Sequence, residues 1–401
     1  MAGQGRVRKA ACGFVAAGLL ALSGCTVGQA PPDTTRQEIQ RTLDARAAAV
    51  LDHDAGAFGT SGAGGAAGRE EFENLADVPL RSWEYRLTEV RRTGDRATAD
   101  AQLRYRIDGY DTAPVTTART LELAERDGRW YVTADRPGRD GAQQLWQQGD
   151  VDVVRGEHSL VLGVGQDRAR LRQIASDADR AVPAVSAAWP GRWAGRVVVL
   201  VPDSLDAMGR LLGAPAAGYR GIAAVTTGET GGSGAAPADR VIVNPEAYGA
   251  LGGFGRRFVL THETTHVATR AHTSPATPMW LSEGFADWVA HRGTGRTAGQ
   301  TAPELQRAVR AGDVPRGLPA DEDFRFGTQA DALARAYEGG WLACELIAER
   351  WGADALTDFY RAVGAQPRDE VAVDQALRKV LGTNLEAFTQ AWGDYVRARL
   401  R

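Results

Sequence analysis

Lysine, cysteine and long apolar runs are all scarce in this chain. Of its 47 basic residues only Lys9 and Lys379 are lysine, an arginine excess that reflects GC-rich coding rather than designed guanidinium contacts. Three cysteines in 401 residues cannot build a disulfide framework. A net charge of −3 gives no field that would recruit nucleic acid, which is therefore not an expected partner. The one apolar run, residues 10–22, is shorter than the roughly 20 residues that span a bilayer. What is present is ordinary for a globular protein. With 43% hydrophobic and 24% charged residues, disordered and collagen-like chains are excluded, and the length suggests two domains.

The first 25 residues read MAGQGRVRKAACGFVAAGLLALSGC. A basic start (Arg6, Arg8, Lys9) leads into the apolar run, the pattern of a signal peptide. The run closes in Leu22-Ser23-Gly24-Cys25, which resembles the lipobox of bacterial lipoproteins. That resemblance implies a signal peptide over 1–24 and a mature chain beginning at a diacylglyceryl-carrying Cys25. It also implies a lipidated tether over 25–35 and a location outside the cytoplasm, anchored to the membrane. Cys344 would then be the only free thiol.

Residues 36–52 carry apolar positions at helical spacing, and GTSGAGGAAGREE from Gly59 reads as a flexible loop. Beyond it the period changes to two, with strands expected at 83–90, 97–107, 115–125 and 130–134. One helix followed by a curved antiparallel sheet resembles the NTF2-like cone. Residues 36–137 are read as that domain, serving as a spacer or substrate-access module, because no cluster of polar residues points to a pocket. Residues 138–150 read as a linker. From 151 to 401 the order is strand, strand, long helix (167–189), strand (196–201), strand (238–245) and a helical remainder, so the fold class is α+β.

Chemistry concentrates in His262-Glu263-Thr264-Thr265-His266. On a helix the two imidazoles lie four residues apart on one face and can reach one metal ion. Glu263 points to the side where a water held by zinc would sit, placed to take its proton. A catalytic zinc takes a third protein ligand, for which there are two candidates. His272 has the metzincin spacing, but Thr269 stands where that motif needs glycine for a tight turn. The other candidate is Glu283 in Met279-Trp280-Leu281-Ser282-Glu283-Gly284-Phe285-Ala286-Asp287-Trp288. That segment resembles the third-ligand helix of gluzincin metallopeptidases, with their W-L-x-E-G-x-A pattern.

Residues 151–401 as a whole resemble a gluzincin domain of the peptidase MA-like kind. The resemblance implies one zinc ion held by His262, His266 and Glu283, with Glu263 as general base and Asp287 fixing the orientation of His262. Tyr337 either faces the developing oxyanion or packs one helix on another. The strand at 240–244 would be the edge to which an extended peptide adds. No segment matches the GAMEN-type motif with which aminopeptidases hold a free N-terminus, which favours endopeptidase action. The expected activity is that of a zinc-dependent metallopeptidase acting on peptides or proteins outside the cytoplasm. The rival reading is a catalytically latent, zinc-containing envelope binding or assembly protein whose NTF2-like domain is the working ligand module.

Overall fold

A computed structural model describes residues 34–62, 66–139, 141–227, 239–325, 329–367 and 371–401. The signal segment, Cys25 and most of the tether lie outside the described residues. Helix α1 (Thr35–Leu51) buries Ile39, Leu43, Ala47 and Val50 along one face, as their spacing requires. The described parts of the glycine-rich stretch expected as a loop are mostly helical. They contribute to two helices, α2 (Ala55–Ser61) and α3 (Ala66–Asn74), on either side of the undescribed residues 63–65. Asp54 caps α2 by accepting from the Ala57 N–H, and Phe58 packs on Phe72 of α3 with ring centroids 4.6 Å apart. The cap and the aromatic contact offset the low helix propensity of the glycines.

Strands β1 (Leu80–Thr93), β2 (Arg96–Ile107), β3 (Val115–Arg126) and β4 (Arg129–Pro137) form one antiparallel sheet in that order. Irregular register at Leu87/Glu89 and Glu122/Leu123 bends it around α1. Gln40 of α1 ties the helix down, donating to the Tyr85 carbonyl and accepting from the Leu87 N–H. Part of the segment 138–150, expected as a linker, packs against the first lobe. Leu145 and Trp146 are buried in a short 3-10 turn, with Trp146 against Trp83 and Tyr105.

The second sheet contains β5 (Asp152–Arg155), β6 (Ser159–Gly163), β7 (Val197–Val201), β8 (Ala224–Thr226) and β9 (Val241–Val243), in the order β5-β6-β7-β9-β8. Helix α4 (Arg168–Ala188) connects β6 to β7, and α5 (Leu205–Leu212) follows β7. β6, β7 and β9 run parallel and read as valine-rich buried strands, while β5 and β8 pair antiparallel at the two edges. The expectation of an edge at 240–244 is thereby corrected. β9 is an inner strand, because β8 covers its outer side.

After the short α6 (Pro245–Gly249) the chain is helical: α7 (Gly253–Thr269), α8 (Met279–His291), α9 (Ala298–Thr301), α10 (Pro303–Arg310), α11 (Ala330–Trp351), α12 (Ala353–Gly364), α13 (Ala372–Ala376) and α14 (Leu385–Leu400). α7 lies between α4 and α8, and α8 crosses α11 at Gly284 and Gly340. A Cβ on Gly284 would run into the Gly340 backbone, so only glycine permits this approach. One hydrophobic cluster runs from Ile39 and Trp83 in the first lobe to Leu160, Val198 and Ile242 in the second sheet. A second fills the space between α8, α11, α12 and α14. Across the lobes Arg240 holds Asp111 through two hydrogen bonds of 2.8 and 2.7 Å, both side chains buried. No described helix is long and apolar enough to cross a membrane.

Candidate metal centre

Two helices bring the donors together. The α7 segment carrying His262 and His266 is buried, and the two Nε2 atoms stand 3.0 Å apart. Glu283 enters from α8 with its Oε2 at 3.2 Å from the Nε2 of His262 and 3.5 Å from that of His266. Among the described residues these three form the only set of histidine, cysteine or acidic side chains that converges on a point. Ligands about 2.0–2.1 Å from a tetrahedral zinc are separated from one another by about 3.3 Å, so this triangle fits that ion in size and in donor chemistry.

One turn further along α8, Asp287 lies 2.8 Å from Nδ1 of His262. With Nδ1–H donating to Asp287, Nε2 is the nitrogen that would turn its lone pair to a metal ion in the triangle. Burial works against a charged His262, but Asp287 and Glu283 outweigh it and push its pKa up to about 10. Burial likewise works upward on Glu283, while His266 and His262 hold it below the usual carboxylate range. Two carboxylates so placed are matched to a strong cation between the imidazoles.

Glu263 is buried beside the triangle and is held from an unexpected side. The Thr226 hydroxyl, fully buried on β8, lies 2.7 Å from the Glu263 Oε2 and 3.1 Å from its backbone carbonyl. Sequence reasoning misses this residue and its strand. The run Ala223-Ala224-Val225-Thr226-Thr227, small and β-branched, is the signal that could have shown it. Thr226 is also tied to the inter-lobe link, since the Arg240 N–H donates to the Thr227 hydroxyl at 2.8 Å and the Thr227 N–H to the Arg240 carbonyl at 2.9 Å.

A cavity of about 310 Å³ opens over the triangle, walled by Ala223, Ala224 and Val225 on one side and by Phe258, Leu333 and Tyr337 on the other. Within β8 the pairing with β9 uses the backbone of Ala223, Val225 and Thr227. Ala224 and Thr226 therefore turn their own N–H and C=O groups to the other side of the strand. Tyr337 lies with its ring 6.3 Å from that of His262 and 5.2 Å from that of Phe324, so it both walls the cavity and packs on a neighbour. His272 stays away from the triangle. Its ring sits 5.6 Å from that of Trp189, in a turn ending α7.

Two solved structures resemble the chain at a distance. One is a two-domain M1 zinc metallopeptidase bound to L-arginine (TM-score 0.34, 14% identity, 77% of this chain and 61% of that one). The other is a two-domain M1 zinc metallopeptidase bound to L-tryptophan (TM-score 0.32, 15% identity, 76% of this chain and 62% of that one). The chain thus spans less than two thirds of their length, and likenesses this remote assign neither family nor activity. No protein-family model and no curated protein matches the chain.

Proposed function

We propose that this chain is a zinc-dependent metallopeptidase that hydrolyses internal peptide bonds outside the cytoplasm, with its mature form lipid-anchored through Cys25. The observation that carries the reading is the Glu263 carboxylate, fixed by Thr226 beside the His262, His266 and Glu283 triangle. Zinc held by those three side chains would supply a Lewis acid that acidifies a water and polarises the scissile carbonyl. The chain's own residues do the rest. Glu263 accepts the proton of the attacking water at its carboxylate and delivers it to the amide nitrogen as the C–N bond breaks. Thr226 aims that carboxylate, and Asp287 keeps His262 in the required tautomer. The outward N–H and C=O groups of Ala224 and Thr226 suit an extended peptide laid along β8 as an added strand. Tyr337, walling the same cavity, supplies a phenol for the developing oxyanion.

The lobe formed by α1 to β4 is read as NTF2-like and the remainder, from 151 on, as the peptidase domain. A comparison of two variants tests the ligand set. Glu283→Ala should lose zinc and cleavage together, whereas His272→Ala should keep both. The reverse pattern would remove Glu283 from the centre and the proposal with it.

A further inference from the structure

The lobe expected to be a spacer or substrate-access module contains a buried charge cluster assembled from five elements. Arg119 of β3 is 1% exposed and faces inward in register with Leu121 and Leu123. Its Nε lies 2.6 Å from Asp135 of β4, which also accepts the Tyr85 hydroxyl of β1 at 2.7 Å. Glu71 of α3 lies 3.7 Å from the Arg119 Nη2, and neither Nη of Arg119 has a hydrogen-bond partner. The fifth element, α1, adds Arg46, 5% exposed. Its guanidinium rests over the Phe58 ring at 3.7 Å from the centroid, its Nε is buried without a partner, and no carboxylate lies within ion-pair distance among the described residues. Arg46 walls a cavity of about 300 Å³ together with Phe58, Phe72, Glu71, Asp135 and Val132.

A buried guanidinium N–H without an acceptor, as at the Arg46 Nε, is costly, and an anion that reaches this guanidinium offsets the cost. The aromatic pair and Val132 supply an apolar wall beside it, and the volume is at the lower end for small-molecule sites. From this geometry we infer that the N-terminal lobe binds a small organic carboxylate, its anionic head on Arg46 and its apolar body against Phe72 and Val132. Burial and the nearby Asp135 raise the Glu71 pKa to about 7, which lowers the negative charge opposing such an anion near neutrality. The site is separate from the metal centre and does not depend on its chemistry.

The test is calorimetric titration of the purified chain, from Thr26 on, with acetate, hexanoate, benzoate and phenylacetate, and with benzamide as the neutral analogue of benzoate. At least one of the larger carboxylates should bind, benzamide should not, and Arg46→Met should weaken the carboxylate at least tenfold. Because a carboxylate can also ligate zinc, the titration is repeated on Glu283→Ala, where the affinity should be unchanged. Should Arg46→Met fail to fold, Arg46→Lys takes its place, with affinity reduced below the parent. Absence of binding by all four carboxylates, equal binding to parent and the Arg46 variant, or loss of binding in Glu283→Ala would each overturn the inference.

Discussion

The candidate metal centre and the charge cluster of the N-terminal lobe are both buried and polar, yet they are built in opposite ways. The centre takes all its donors from two helices, with His262 and His266 four residues apart on α7 and Glu283 and Asp287 four apart on α8. The cluster takes one residue from each of five elements, spread from Arg46 to Asp135. In the centre each charge has a partner at hydrogen-bond distance. In the cluster the Arg46 Nε and both Nη atoms of Arg119 do not. A metal ion needs its donors held within a few tenths of an ångström, which the rigid i, i+4 geometry of a helix supplies. A ligand cavity needs only that its wall present the right groups, and distant segments can do that.

The comparison can be broken most forcefully at Asp135. Asp135→Ala leaves Arg119 buried without its main partner and should cost about 3–5 kcal/mol of unfolding free energy. Denaturant unfolding measures that loss, while the folded fraction keeps its zinc and its cleavage rate. A matching loss of zinc would mean that the two clusters are not independent. Asp287→Asn is the corresponding change at the centre. It should weaken zinc about 10–100-fold, read by competition with a chelator, with little effect on the melting of the N-terminal lobe.

Thr226→Val probes a residue that acts through another. A hydrogen bond to a charged group is worth about 1.5–3 kcal/mol, so kcat should fall roughly tenfold or more while KM and zinc content hold. Thr226→Ser should restore most of the rate; an unrescued loss would point to packing instead. The smallest effect concerns pH. Glu71 titrates near 4.5 unfolded and at about 7 folded. The folded state therefore binds more protons between those values, and stability falls as pH rises through that window. Glu338, also raised to about 7 mainly by burial, contributes in the same direction. Glu71→Gln should flatten the decline in unfolding free energy between pH 5 and 8 by an amount on the order of 1 kcal/mol, read by denaturant unfolding and leaving the part due to Glu338.

The difference in construction also decides what could be read in advance. His262, Glu263 and His266 announce themselves because spacing along one helix is a sequence property. Glu283 and Asp287 follow for the same reason on the next helix. The strands of the first sheet are legible from their alternation, and the structure extends β1 and β4 by several residues and β2 and β3 by one each. Strand order is not written in any one segment. The position of β9 inside the sheet depends on β8, a strand only three residues long. Thr226 was hidden with it. The helices around the glycine-rich stretch depend on Phe58 meeting Phe72, a contact set by tertiary packing rather than propensity. Arg119 did leave a trace, as a charged residue at an inward position between Thr117 and Leu121. Its partners Glu71, Tyr85 and Asp135 are near it only in the fold.

The most direct measurement is digestion of a diverse peptide library by the chain from Thr26 on, beside its Glu263→Gln variant, with zinc content determined for both. The account predicts equal zinc, cleavage by the parent, and a rate in the variant lower by about 10²–10⁴-fold. Equal cleavage by both proteins, or zinc bound in both with no cleavage by either, would contradict it.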